Sequence, residues 1–239
     1  MALHRRIEPS LRAGSPVAAL AHDFAAARER MLHTQLLPRG VRDPRVLDAM
    51  RHVPREAFVP EALRDHAYDD EPLPIGARQT ISQPFIVAYM LEAAELAPSD
   101  RVLDVGTGSG YAAAVASRLV RRIDSIERIP ALAHEAQRRL VALRYENVDV
   151  HVGDGSAGWP GGAPYDAILV AAGAPRVPHA LELQLAPGGR LILPVGERDR
   201  AQRLWRVRRL DAEHFERQDL GAVAFVPLVG EAGWDVPTE

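Results

Sequence analysis

Arg101-Val-Leu-Asp-Val-Gly-Thr-Gly-Ser-Gly-Tyr111 reads as a strand, a tight turn and the opening of a helix. Val102, Leu103 and Val105 form a short apolar run entering glycines 106, 108 and 110, and Ala112 to Val120 follows as an alanine-rich helix. Glycine tolerates positive φ and keeps side chains off the backbone, while a helix start leaves N–H groups without intrahelical partners. A nucleotide-like ligand can therefore approach the main chain at this turn.

The glycine spacing narrows the ligand. G-x-G-x-x-G seats a pyrophosphate on the helix N-terminus, whereas the spacing here is G-x-G-x-G with Asp104 two residues before Gly106. A carboxylate there repels a pyrophosphate but favours the ammonium and, at longer range, the sulfonium of S-adenosylmethionine. Glu127 ends the next apolar run, Ile123 to Ile126, 21 residues after Gly106, and can accept from both ribose hydroxyls. The plainer alternative is an ordinary strand-to-helix turn with a solvated Glu127.

Downstream of this turn, strands are expected at 101–105, 122–126, 148–152, 165–171 and 189–195, with helices at 112–120, 130–143 and 176–186. That alternation predicts a doubly wound, mostly parallel sheet. Runs at 203–210 and 222–228, separated by a polar stretch without a helical stripe, predict an antiparallel hairpin at the sheet edge, which makes seven strands. Ligands of open α/β sheets bind beyond the carboxyl ends of the strands. Gly106 to Gly110, Glu127, Gly153-Asp-Gly155 and Ala171-Ala-Gly-Ala-Pro175 all fall there. Asp154 is suited either to accept from an adenine amino group or to serve as a turn aspartate.

Upstream, residues 1–16 show no periodicity, and Val17 to Leu37 reads as an amphipathic helix ended by Pro38 and Gly40. Asp43 and Pro44 open a helix reaching Val53, and a short helix spans Ala57 to His66. Tyr68 to Gly76 is expected to be irregular because of its two prolines and glycine. It leads into Gln79-Thr-Ile-Ser-Gln-Pro84, ahead of a helical stripe of Ile86, Val87, Met90, Leu91 and Ala94. Local evidence places Ser82 at that helix's N-cap; a polar clamp on a substrate is the alternative.

The rest of the sequence mainly excludes. Hydrophobic and charged fractions of 47% and 26% are those of a globular domain, and a net charge of −3 gives no general field for nucleic acid or anionic membrane. There is no cysteine, and all 29 basic residues are arginine, so disulfides, thiolates and lysine Schiff bases are out. The nine histidines show no metal-ligand spacing, so no metal is expected. Without a membrane-span-length apolar run or a signal-peptide core, the expectation is a cytoplasmic monomer. Arg198 to Arg209 is read as a solvated strand face, and Trp159 as packed under a loop.

With these segments set side by side, the chain resembles the protein-L-isoaspartate O-methyltransferases. The match runs through Leu73-Pro-Ile-Gly76, Gln79-Thr-Ile-Ser-Gln-Pro84, Leu103-Asp-Val-Gly-Thr-Gly-Ser-Gly-Tyr111, Glu127-Arg128, Gly153-Asp-Gly155, Pro164-Tyr-Asp-Ala-Ile168, Pro187-Gly-Gly-Arg-Leu191, Leu193-Pro-Val-Gly196 and Phe225-Val-Pro-Leu228. It covers about residues 30 to 230, and the T-I-S-Q-P stretch is its most family-specific part.

The resemblance implies a class I, Rossmann-like methyltransferase domain at 29–239: helical cover and substrate loop at 29–98, sheet at 99–230, tail at 231–239. A partly helical extension precedes it at 1–28. It further implies methyl transfer from S-adenosylmethionine, leaving S-adenosylhomocysteine, to the α-carboxylate of L-isoaspartyl residues in damaged proteins and peptides. The ester then closes to a succinimide and hydrolyses partly to aspartate, so repair proceeds by repeated cycles.

Thr80 and Ser82 are thereby implied as the catalytic pair. Asp104, Gly106, Thr107, Gly108, Ser109, Gly110, Glu127, Asp154 and Gly155 are implied to hold the donor, and Gln79, Ile81, Val226 and Leu228 the substrate. Ala77-Arg78 departs from the more glycine-rich loop of many relatives. A methyltransferase of the same fold acting on a small molecule or RNA, and a non-catalytic binder of isoaspartyl peptides, are the alternatives.

Overall fold

The computed structural model describes residues 23–198 and 200–235. Those residues build one seven-stranded sheet in the order β5-β4-β3-β6-β7-β8-β9, plus a separate two-stranded ribbon, β1-β2. Here β1 is Leu73–Gly76, β2 Gln79–Ile81, β3 Arg101–Val105, β4 Arg122–Glu127, β5 Val148–Val152, β6 Tyr165–Val170, β7 Leu185–Val195, β8 Gln202–Arg209 and β9 Phe215–Val223. Pairing is parallel from β5 through β7 and antiparallel at β7-β8 and β8-β9. The expected doubly wound sheet with an antiparallel C-terminal hairpin is what forms.

β3 is central because it is apolar on both faces. Val102 faces one core, with Ala167, Leu169 and Ile192, and Leu103 and Val105 face the other, with Ile168, Val170 and Leu191. Parallel strands covered on both sides need this composition. Chain order runs outward from β3 to β5, then returns to β6 on the other side of β3. The crevice between the β3 and β6 carboxyl ends is the switch point at which ligands bind in such sheets.

The helices are α1 Phe24–Met31, α2 Pro44–His52, α3 Pro84–Ala93, α4 Tyr111–Ser117, α5 Pro130–Ala142 and α6 His179–Leu183. At α2 the expected start is met: the Asp43 carboxylate accepts from Arg45 N–H at 2.8 Å, with Pro44 at the first position. The helix expected from Val17 is α-helical only from Phe24; it then widens to a π turn over Leu32–Leu36 and ends at Gly40. Its residues 17–22 lie outside the described residues. The boundary expected after residue 28 falls within α1, where Arg28 bonds Tyr68, Glu56 and the Arg51 carbonyl. Trp159 stacks on His151 with ring centroids 4.1 Å apart.

Three local readings need correction. Leu73–Gly76 is not irregular: it pairs antiparallel with Gln79–Ile81 across a two-residue turn, Ala77-Arg78, whose φ values of 49° and 58° are both positive. Tight hairpins need that backbone, usually supplied by Asn-Gly, so the Ala-Arg turn hid the hairpin in the sequence. The last strand is 215–223 rather than 222–228, because the exposed run Glu216 to Asp219 is held by pairing with β8 and shows no apolar alternation. The helix expected at 176–186 shortens to α6, and β7 starts at Leu185.

Candidate active site

A crevice of about 450 Å³ opens where β3, β4 and β6 end. On one side it is lined by Gly106, Thr107, Gly108 and Ser109 from the turn after β3, Glu127 at the end of β4, and Gly155. On the other side lie Gln79, Thr80, Ile81 and Ser82 of the β2 segment and Val226 to Val229. Segments far apart in the chain, both singled out in the sequence, thus share one cavity. Ala171 and Ala172 form the wall between them.

The turn is shaped by its glycines at only a few points. Gly106 has φ 94°, and a Cβ on Gly108 would come 3.2 Å from Ile75 of the ribbon. The loop and ribbon are therefore packed closely enough that a larger residue would push them apart. Gly110 does not line the crevice; at φ 91° it is the N-cap of α4 and packs on Leu140 and Ala136. Glu127, 7% exposed, accepts from Gly108 N–H at 3.0 Å and from Ile129 N–H at 2.9 Å. Two backbone donors fix its carboxylate at the lining, and its remaining lone pairs can take ribose hydroxyls.

Asp104 is 2% exposed and does not reach the crevice surface. Its Oδ2 accepts from Ser125 Oγ at 2.6 Å, and Ser125 Oγ lies 2.6 Å from Thr107 Oγ1. Since the Ser125 proton goes to Asp104, Thr107 must donate to Ser125, and the Thr107 oxygen meets the crevice as an acceptor. Asp104, expected at the donor, thus stands behind Thr107 rather than at the lining. Burial, the largest cause, pushes the Asp104 carboxyl up to about 6; the Ser125 bond pulls it back, and the Glu127 charge adds to the rise.

Asp154 takes the second of its two readings, the turn aspartate. Its Oδ1 accepts from Ser156 N–H at 2.8 Å and Ser156 Oγ–H at 2.7 Å, and its Oδ2 accepts from Glu231 N–H at 2.8 Å. The carboxylate caps the turn at Gly155–Ala157 and ties down the C-terminal segment, and Gly155 supplies the lining instead. Trp234 fastens the same segment by donating from Nε1 to the Gly173 carbonyl at 3.0 Å.

On the substrate side Ser82 is half-buried and does not cap α3; the cap position is Gln83, which makes no side-chain bond there. The local capping expectation is overturned, and the hydroxyls of Ser82 and Thr80 remain available at the crevice. Gly173 N–H donates to the Val226 carbonyl and Leu228 N–H to the Gly173 carbonyl, both at 2.8 Å. Pro227 between them has no N–H, so its carbonyl is the group left for the opposite edge. Arg198, which the sequence reading assigned to a solvated strand, lies in the turn before β8 and lines the crevice. Nothing in its periodicity signals that. Arg78 and Arg128 line it as well.

A Rossmann-like sheet with an acid-backed G-x-G-x-G turn, a carboxylate at the end of β4 lining the crevice, and that crevice at the switch point are the features of an S-adenosylmethionine-dependent methyltransferase. The residues fit that donor: the main chain is open at Gly106 to Gly108, Glu127 is fixed for a diol, and the Thr107 oxygen is set to accept. Residues 27–233 match the family model for protein-L-isoaspartate(D-aspartate) O-methyltransferase. The chain belongs to that family.

It is 57% identical over 219 residues to protein-L-isoaspartate O-methyltransferase 1 of Rhodopseudomonas palustris, covering 92% of this chain and 89% of that one. It is 58% identical to protein-L-isoaspartate O-methyltransferase 2 of Pelobacter propionicus, covering 87% and 92%. A solved protein-L-isoaspartate O-methyltransferase superposes with a TM-score of 0.77 at 31% identity, over 86% of this chain and 67% of that one. A Plasmodium falciparum structure in complex with S-adenosyl-L-homocysteine gives 0.72 at 26% identity, over 86% and 98%.

Proposed function

We propose that the crevice aligns the α-carboxylate of an L-isoaspartyl residue through Thr80 and Ser82 while the opposite wall holds the methyl donor. The single observation carrying this assignment is the meeting of the Gln79–Ser82 segment and the Gly106–Ser109 turn in one cavity. Bound S-adenosylmethionine supplies an electrophilic methyl on a cationic sulfur. Family membership makes the reaction O-methylation of isoaspartyl proteins and peptides.

The chemistry asks for placement rather than proton transfer. A carboxylic acid of pKa about 4 is already ionised at neutral pH, so no general base is needed. Thr80 and Ser82 donate to that carboxylate and hold its reacting oxygen toward the donor wall. Ile81, Val87, Ala171, Ala172 and Leu228 keep water away, which strengthens the attraction between the anion and the donor's cation. Glu127 holds the ribose. Thr107, set as an acceptor by Ser125 and Asp104, takes an N–H of the donor's ammonium. The Pro227 carbonyl receives one backbone N–H of an extended peptide, and recognition through the main chain suits substrates of varied sequence.

The same reading gives a monomer acting on proteins without nucleic acid or membrane, consistent with a net charge of −3. We place it in the cytoplasm, a reducing setting that suits a chain without cysteine. Among the described residues no helix is long and apolar enough to cross a membrane.

The test is transfer of labelled methyl from S-adenosylmethionine to an isoaspartyl peptide beside the same peptide with aspartate, for wild type and Ser82→Ala. Only the isoaspartyl peptide should be labelled. Losing one hydrogen bond to an ionised group, worth about 1.5–3 kcal/mol, should slow Ser82→Ala about tenfold to a hundredfold. Undiminished transfer by Ser82→Ala would remove the role given to that hydroxyl.

A further inference from the structure

The crevice lining is unbalanced in charge. Three arginines, Arg78, Arg128 and Arg198, stand against one carboxylate, Glu127, whose oxygens already accept two backbone N–H groups. Among the described residues none of the three arginines has an ion-pair partner. Other arginines are engaged: Arg139 binds the Ser109 carbonyl and Glu135, Arg203 binds Asp219, and Arg200 binds Glu197. Arg128 follows Glu127 and belongs to the donor wall. Arg78 and Arg198 come from the ribbon turn and the β7-β8 turn; both line the crevice, and Arg78 adjoins the Gln79–Ser82 segment.

Arg78 is also held in an unfavourable backbone conformation. At φ 58°, next to Ala77 at φ 49°, it occupies a region that glycine or asparagine takes readily and arginine does not. A turn chosen only for its geometry would carry Asn-Gly. The exposed arginine persists at that position in spite of the strain, and such strain concentrates at functional sites.

Its place in the chain indicates what it meets. Arg78 precedes Thr80 by two residues and Ser82 by four. Extended chains advance about 3.3 Å per residue, so a peptide lying along this segment with its isoaspartate at Thr80 and Ser82 brings a neighbour two positions away opposite Arg78. We infer that Arg78 and Arg198 make the crevice selective for isoaspartyl residues with acidic side chains about two positions away. The inference rests on the isoaspartyl reading of the site.

The experiment uses three isoaspartyl peptides of equal length, with glutamate, alanine or lysine two positions to either side of the damaged residue, at low and high salt. Exposed ion pairs change affinity by up to about fivefold each. Wild type should therefore prefer the glutamate peptide over the lysine peptide by about tenfold in kcat/KM, through KM rather than kcat, and 0.5 M salt should flatten the difference. Arg78→Asn, whose side chain tolerates the backbone, should cut the preference to about threefold; Arg78→Lys should keep it. Adding Arg198→Gln to Arg78→Asn should abolish it.

Equal kcat/KM for all three peptides in wild type overturns the inference and leaves the methyltransferase reading standing. An equal loss on all three peptides in Arg78→Asn also overturns it, by assigning the arginine to the isoaspartyl carboxylate itself. No transfer to any peptide overturns both.

Discussion

Replacing Asp104 by Asn should change how stability depends on pH. In the folded chain the Asp104 carboxyl is raised from 3.8 to about 6, chiefly by burial. Below 3.8 the group is protonated folded and unfolded, and contributes nothing to the pH dependence. Between 3.8 and 6 the unfolded chain releases its proton while the folded chain keeps it, so stability falls as pH rises. Above 6 the loss is complete, at about 3 kcal/mol for a rise of this size. Of that, about 2 kcal/mol should lie between pH 4.5 and 7.5.

Asp104→Asn lacks this titration, and any fixed cost of its buried amide cancels when one variant is followed across pH. Urea unfolding of both proteins from pH 4.5 to 7.5 measures the difference. The stability of wild type relative to Asn should decline by about 2 kcal/mol over that range. Parallel curves would refute the claim that Asp104 is a buried carboxylate held ionised against its environment. At pH 7.5 the Asn variant should also bind S-adenosylmethionine more weakly, because Ser125 and Thr107 lose the charge that sets their direction.

Other substitutions probe the remaining contacts. A Cβ on Gly155 would lie 2.5 Å from Val105 Cγ1, so Gly155→Ala should lose about 1–3 kcal/mol of stability by overpacking and weaken donor binding, read by thermal unfolding with and without donor. Glu127→Gln keeps one acceptor where two backbone N–H groups need one each, and calorimetry should show donor affinity falling at least tenfold. Gly230→Ala would bring a Cβ within 2.0 Å of Asp154 Oδ1; it should release the segment around Trp234, seen as faster amide exchange at Glu231 and Ala232.

The sheet was legible because β3 and β6 are buried on both faces and carry near-continuous apolar runs, while β4 is marked only by Ile123 and Ile126 around buried Asp124 and Ser125. The strand ends followed from the same pattern, so Glu127, Gly155 and Gly106 to Ser109 fall at the crevice as expected, while Gly110 does not. What sequence does not carry is the direction of a carboxylate. Asp104 and Asp154 lie where strand ends put them, yet one turns into the core toward Ser125 and the other toward Ser156 and Glu231. Strand β9 escaped notice because its run Glu216 to Asp219 is exposed on both faces, leaving no alternation to read there. Arg198 escaped because a turn residue's reach depends on which loops meet it in space.

That wet strand has a bearing on the company this protein keeps. A repair enzyme works among damaged proteins, and these can present unpaired strands seeking an edge to join. One of the two borders of its sheet is β9, where Glu216, Arg217, Gln218 and Asp219 are all exposed and the pairing with β8 slips between Leu204 and Trp205. Charged side chains and an interrupted register are what discourage edge-to-edge growth. The feature that concealed the strand in the sequence is thus also the one that guards this edge against pairing with another chain's strand.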